Sequence, residues 1–271
     1  MKSSVKILAA AGLVLLVVGV EASHKQLEFD QLVTPDAIFG TGNTNGSFTV
    51  NRNDGVEVGL RVKQRFPAPA NVFNSNGDGT YSFAAGSPSC SLLVSDGFTF
   101  AKFPLCLATP IWNFEWSINT DHDGSSGLRL DDLRYELGMD ADPRRVTDFT
   151  AFNPIAPSLI APAWDHALGT NATPNGGGVK FANAATYPGA LAVRNVAQNS
   201  WNYEFFNNPG TSLASFNPSV PGNYAIYLRA IDPARNRVIA QTVIQVLVGG
   251  AKAVRGRIVL PGVGGDSEDD N

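Results

Sequence analysis

The densest group of side chains able to do chemistry lies in NTDHDGSSGLRLDDLRYELGMDADP, residues 119–143. Asp121, Asp123, Ser125 and Asp132 fall at positions 1, 3, 5 and 12 of a D-x-D-x-S loop. Calcium takes six to eight hard oxygens, and alternate residues of such a loop aim several at one point. The EF-hand pattern is incomplete. Ser126 stands where it needs Gly and Asp132 where it needs Glu, and the flanks alternate like strands. Two expectations follow. One is a β-hairpin loop that binds calcium through Asp121, Asp123 and Ser125 with Asp131 or Asp132, Asp140 and Asp142 lying nearby. The other is a solvated turn in which Asp and Gly serve backbone geometry. NSNGDGT, residues 74–80, poses the same choice with fewer charges. Calcium is the one cofactor considered.

The other reactive residues are scattered. Trp112 and Trp116 share a face with Phe114 and Ile118 and read as core. Trp164, in APAWDHALG, and Trp201, in NSWNYEFF, are the candidates for stacking on a sugar. His24, His122 and His166 form no H-E-x-x-H signature, and neither a G-x-S-x-G elbow nor a phosphate-binding Gly loop is present. Glu115, Glu136 and Glu204 could pair as glycosidase carboxylates, and His166 adjoins Asp165. Any chain of this size offers such pairs, so the sequence reads as non-enzymatic. Asn45-Gly-Ser and Asn171-Ala-Thr match the glycosylation acceptor, which matters only in a eukaryotic source.

The N-terminus has the form of a secretory leader. Lys2 and Lys6 precede the 14-residue apolar run Ile7 to Val20, and VEA follows with cleavage expected after Ala22. An uncleaved anchor is the alternative, but the run is short of the roughly 20 residues that span a bilayer. Residues 1–22 are therefore set aside. A secreted protein, extracellular or periplasmic, is expected, with no membrane span after cleavage. Removing the leader takes the net charge from −4 to −5. This mildly acidic balance lacks the footprint of a nucleic-acid binder. Export permits a disulfide between Cys90 and Cys106, with two buried thiols as the alternative.

The elements that must carry these groups read as strands. Charged residues are 16% of the chain, against 27 Gly and 17 Pro, a balance that suits strands and tight turns. Val56, Val58, Leu60 and Val62 alternate with Glu57, Arg61 and Lys63. Trp112, Phe114, Trp116 and Ile118 alternate with Asn113, Glu115 and Ser117. Leu133, Tyr135, Leu137 and Met139 form a third such face, and Tyr224, Ile226, Leu228 and Ala230 a fourth. The alternation predicts antiparallel strands with one face in water. Asn45-Gly46, Asp54-Gly55, Asn76-Gly77, Asp78-Gly79, Asp96-Gly97 and Asp123-Gly124 are read as hairpin turns. Residues 152–188 break the pattern. They are expected to be a long irregular segment crossing between sheets or between two lobes, with a short helix near Ala163 to Leu168 as an option. Residues 23–260 form the β-sandwich domain, and the acidic tail 261–271 reads as disordered.

NPSVPGNYAIYLRAIDPARNRVIAQTVIQVLV gives a strand, a turn around Asp232 to Asn236 and a second strand. Tyr224, just after Pro-Gly, resembles the tyrosine corner of immunoglobulin-like sandwiches, with its ring inward and its hydroxyl on backbone. The fold expected is an all-β antiparallel sandwich, immunoglobulin-like or jelly-roll-like. The stretches GTGNTNGSFTVNRNDGVEVGLRVKQRF, GDGTYSF, WNFEWSINTDHDGSSGLRLDDLRYELGMDADP and the region from VAQNSWNYEFF to NRVIAQTVIQV together resemble exported bacterial proteins of the PEP-CTERM-associated kind. The resemblance implies a secreted β-rich protein and carries no activity. The Pro-Glu-Pro, apolar helix and basic end of the sorting tail are missing, so free secretion is expected. The leading functional reading is a non-catalytic structural or interaction protein of the cell surface or extracellular matrix, with polysaccharide or other matrix components as partners. The alternatives are a carbohydrate-binding module, calcium-dependent or not, and a secreted hydrolase.

Overall fold

A computed structural model describes residues 26–65, 71–87, 110–140, 142–144, 147–156, 166–181, 185–202, 206, 210–211, 213–214, 217–254 and 258–263. The leader, Cys90, Cys106, the Asp96-Gly97 pair, Trp164, Asp165 and residues 264–271 lie outside them. The described strands are β1 (Glu28–Gln31), β2 (Phe48–Asn53), β3 (Val56–Gln64), β4 (Thr80–Phe83), β5 (Trp112–Asn119), β6 (Arg134–Asp140), β7 (Phe149–Phe152), β8 (Ala167–Gly169), β9 (Val196–Trp201), β10 (Gly222–Asp232) and β11 (Arg237–Val248). One short helix, α1 (Tyr187–Leu191), lies between β8 and β9. The strands make two sheets. The first runs β1-β2-β3-β5-β9-β8, and the second runs β4-β11-β10-β6-β7. The protein is an all-β sandwich.

The four predicted apolar faces meet in the middle. Val58 and Leu60 of β3, Trp112 and Trp116 of β5, Leu137 of β6 and Ile226 of β10 belong to one buried cluster shared by both sheets. Side-chain-to-backbone bonds also stitch the sheets together. Asn53 Nδ2 donates to the Ile239 carbonyl at 2.9 Å, and Thr242 Oγ1 donates to the Thr49 carbonyl at 2.9 Å. Tyr224 is fully buried, and its hydroxyl donates to the Val220 carbonyl at 2.8 Å, the tyrosine-corner geometry expected.

Several local expectations are corrected. Of the Asx-Gly pairs within the described residues, Asn76-Gly77 and Asp78-Gly79 turn Ser75 back onto Tyr81 in an antiparallel bridge, and Asp54-Gly55 joins β2 to β3 with φ of 50° and 78°. That double left-handed turn matches the strand twist. Asp123-Gly124 instead sits in a loop that leaves the first sheet after β5 and enters the second at β6. Strand β4 pairs parallel with β11, because the chain reaches that edge by crossing from the first sheet. Ala167 to Gly169 form an edge strand paired with β9, where a helix was an option. The irregular segment does cross between sheets, from β7 to β8.

The largest departure concerns the polar faces. Glu57, Arg61, Lys63, Asn113, Glu115 and Ser117 were expected in water, yet all are buried. The segment between β1 and β2 covers them. Its backbone supplies what water would: Thr34 N–H to Glu57 Oε1 at 2.7 Å, and Ile38 N–H to Gln198 Oε1 at 2.8 Å. Desolvated polar rows are tolerable only when bonded in this way.

Candidate functional site

Four places gather polar or reactive groups. In the acidic loop, Asp121 Oδ1 accepts the N–H groups of Ser126 at 2.9 Å and Gly127 at 3.0 Å. Asp123 Oδ1 accepts from Ser125 N–H at 3.0 Å and Ser125 Oγ at 2.6 Å. Asp132 Oδ2 caps the Arg129 N–H at 2.7 Å, across the single 3-10 turn that carries Asp131. Among the described residues, no three His, Cys, Asp or Glu side chains gather as a metal-ligand group. The loop's carboxylates accept bonds from its own N–H and hydroxyl groups and fold the loop on itself. Slight burial would raise the Asp121 carboxyl, but the bonds from Gly127 and Ser126 outweigh it and hold its pKa below the usual range. The Ser125 hydroxyl and N–H lower Asp123 in the same way.

An asparagine network closes the loop's base. Asn119 Nδ2 donates to the Thr34 carbonyl at 2.6 Å and to Asn171 Oδ1 at 2.8 Å. Asn195 Nδ2 donates to the same Asn171 oxygen at 2.8 Å, and Asn171 Nδ2 donates to the Asp121 carbonyl at 2.7 Å. Asn45 similarly brackets Val33, accepting its N–H and donating to its carbonyl. Both glycosylation-type asparagines thus serve as structural pegs.

On the outer face of the first sheet, β3 and β5 place Arg61 opposite Glu115. The ion pair is 2.5 Å long and both side chains are fully buried. The guanidinium lies between the rings of Phe48 and Phe73, 4.2 and 4.1 Å from their centroids. Its Nη1 donates to the carbonyls of Thr44 at 2.8 Å and Gly46 at 2.7 Å, which pins the covering segment. Lys63 hydrogen-bonds Asn43 and lies 3.8 Å from Glu115. Burial lowers the pKa of both cations, and the Glu115 charge partly restores it. Charges beside apolar residues on a central strand are the signal that pointed here, and it was read as a wet face.

Two of the residues suspected of catalysis or stacking, His166 and Trp201, lie in the core; Trp164, Asp165, Glu204 and His24 lie outside the described residues. His166 is buried, stacks edge-on to Tyr187 and hydrogen-bonds its hydroxyl through Nε2. Since Tyr187 Oη donates onward to the Ile155 carbonyl at 2.6 Å, the Nε2–H must be the donor to Tyr187. Trp201 is 3% exposed. It packs on Trp116 with ring centroids 5.1 Å apart, and on Phe114, Phe152 and Phe206. It is a core residue because β9 pairs with β5 and places Trp201 opposite Phe114.

The outer face of the second sheet holds the fourth cluster. Arg229 Nη2 binds Glu136 Oε1 at 2.5 Å, and Tyr227 donates its hydroxyl to the same oxygen. The Tyr227 ring lies over Gly138 and meets Phe149 edge-on at 4.9 Å. A Cβ on residue 138 would sit 2.0 Å from Tyr227 Cε1. Gly138→Ala must therefore evict a ring fixed at both ends, at an expected cost of about 2–3 kcal/mol. Urea unfolding measures this, and an unchanged midpoint would mean that the ring moves freely.

Asp140 ends this row. Its Oδ1 accepts the N–H groups of Asp142 at 3.1 Å and Asp148 at 2.9 Å. Burial nevertheless outweighs these bonds and pushes its pKa up to about 6. An acid raised in the folded state binds its proton more tightly there than in the unfolded chain, where it titrates near 4. Its contribution is therefore most favourable below about pH 4 and declines as pH rises through 6. Asp140→Asn keeps the accepting oxygen and removes the charge. The variant is expected to gain about 1–2 kcal/mol over the parent at pH 7.5, roughly half the full worth of the shift after screening, and nothing at pH 4. Unfolding curves across that window check the sign.

The chain matches no protein-family model, no curated protein and no solved structure. Its own side chains must carry the functional argument.

Proposed function

We propose that the chain is an exported, non-catalytic structural or interaction protein of the cell surface or extracellular matrix. One observation supports this reading above others: the groups best suited to chemistry are spent on holding the fold. Asp121 and Asp123 bond their own loop, Glu115 neutralises Arg61 beneath a covering segment, and His166 is tied to Tyr187 inside the core. A sandwich stabilised in this way suits a durable scaffold better than a centre that must bind and release substrate. The secretory form of residues 1–22 and the resemblance to PEP-CTERM-associated proteins supply the location. Polysaccharide or other matrix components are the partners this reading expects.

The test is fractionation of producing cells, N-terminal sequencing of the product, and co-sedimentation of the purified protein with the cells' own matrix polysaccharide. The expected product lies outside the cytoplasm, begins at Ser23 and sediments with the matrix. A cytosolic chain that retains its leader would overturn the reading, as would turnover of polysaccharide by the purified protein.

A further inference from the structure

The segment that covers the first sheet also brings an amide against an amine. Lys63, near the end of β3, is 5% exposed, and lysine is seldom buried so far without a partner. Its Nζ donates to Oδ1 of Asn43, a neutral amide of the covering segment. The Asn43 amide is fixed in orientation. Its Nδ2 donates to the Gly40 carbonyl at 3.1 Å, which turns Oδ1 toward the lysine. A donor bonded to an amide oxygen lies roughly 3–4 Å from the amide carbon, close to the range from which attack begins. Glu115 Oε1 lies 3.8 Å from the same Nζ and is buried with no hydrogen-bond partner among the described residues. Arg61 holds the other oxygen, Oε2, at 2.5 Å.

We propose that Lys63 and Asn43 join in an isopeptide bond, with Glu115 as the base, and that this bond fastens the covering segment to β3. Glu115 Oε1 takes a proton from the Lys63 ammonium. The freed Nζ electron pair attacks Asn43 Cγ, the N–C bond forms, and the carbonyl pair moves onto Oδ1. The Arg61 guanidinium binds the carbonyl of Thr44, next in the chain, so its positive charge stands beside this oxyanion. When the pair returns from Oδ1, the Cγ–Nδ2 bond breaks. The departing nitrogen takes one proton from Glu115 and one from Nζ, and leaves as ammonium. The carboxylate is restored, and nothing is oxidised or reduced. Burial favours the neutral amine that must attack. It lowers the Lys63 pKa against the opposing Glu115 charge, and the Arg61 and Arg65 charges lower it too. Asn43 is half-buried between exposed Gly42 and Thr44, which gives ammonium a way out. This self-modification goes beyond the matrix reading and does not rest on it.

The test is mass spectrometry of the purified protein after trypsin. A linked Lys63 resists cleavage, so Val62–Arg65 stays joined to Gln26–Arg52, the peptide that carries Asn43. The expected product is this branched peptide, lighter than its two parts by one ammonia, about 17 Da. It should be absent from Lys63→Met and from Asn43→Ala. In freshly refolded Glu115→Gln the link is expected to form about a hundredfold more slowly than in the parent. Linear peptides alone from the folded parent, cut after Lys63, would overturn the bond. Linkage at an undiminished rate in a folded Glu115→Gln would overturn the role of the base. Should that variant not fold, the peptide map of the parent decides alone.

Discussion

Replacing Glu115 by alanine is expected to cost about 3–5 kcal/mol. The reason is asymmetry. Arg61 and Glu115 are both fully buried, and the variant strands a guanidinium whose Nη2 already has no hydrogen-bond partner among the described residues. Lys63 loses its countercharge in the same step. Against a typical total of about 5–15 kcal/mol, roughly a fifth or more of the stability disappears. Chemical denaturation measures it, and a double-mutant cycle with Arg61→Met isolates the pair. The double variant should recover about 2 kcal/mol but not all of the loss, because Arg61 also holds the Thr44 and Gly46 carbonyls. A Glu115→Ala protein within 1 kcal/mol of the parent would mean that water reaches the pair.

Trp201→Ala is the second large effect, again about 3–5 kcal/mol, with a melting temperature roughly 10 °C lower. The indole fills the space among Trp116, Phe114, Phe152 and Phe206, and no smaller side chain can close it. The experiment also separates two roles for this residue. A sugar platform tolerates alanine with its stability intact and loses ligand; a core tryptophan loses stability whether or not a ligand is present. Calorimetry of the variant without any glycan gives the answer.

The sandwich core was legible because period-two alternation needs only local information. Trp112, Phe114, Trp116 and Ile118 sit where the pattern put them, as do Tyr224, Ile226, Leu228 and Ala230. The opposite faces were misread for the same reason. Alternation says that Arg61 and Glu115 point away from the apolar side. It cannot say whether a remote segment will cover them, and residues 32–47 carry no periodicity that marks them as a cover. Trp201 was misplaced because its side depends on pairing with β5, which no local pattern encodes. The acidic loop posed a genuine choice between metal binding and turn geometry. Its Ser and Gly N–H groups, which cap the carboxylates, are visible in the sequence only as small residues.

The covering segment has a kinetic consequence. Its Ile38 amide is satisfied by Gln198, 160 positions later, and Thr49 is met by Thr242, 193 positions later. The first strands to leave the ribosome or a translocation channel therefore cannot complete these bonds until most of the polypeptide has followed. Such distant closures make assembly slow and late. The chain therefore stays open to threading until its last strands emerge.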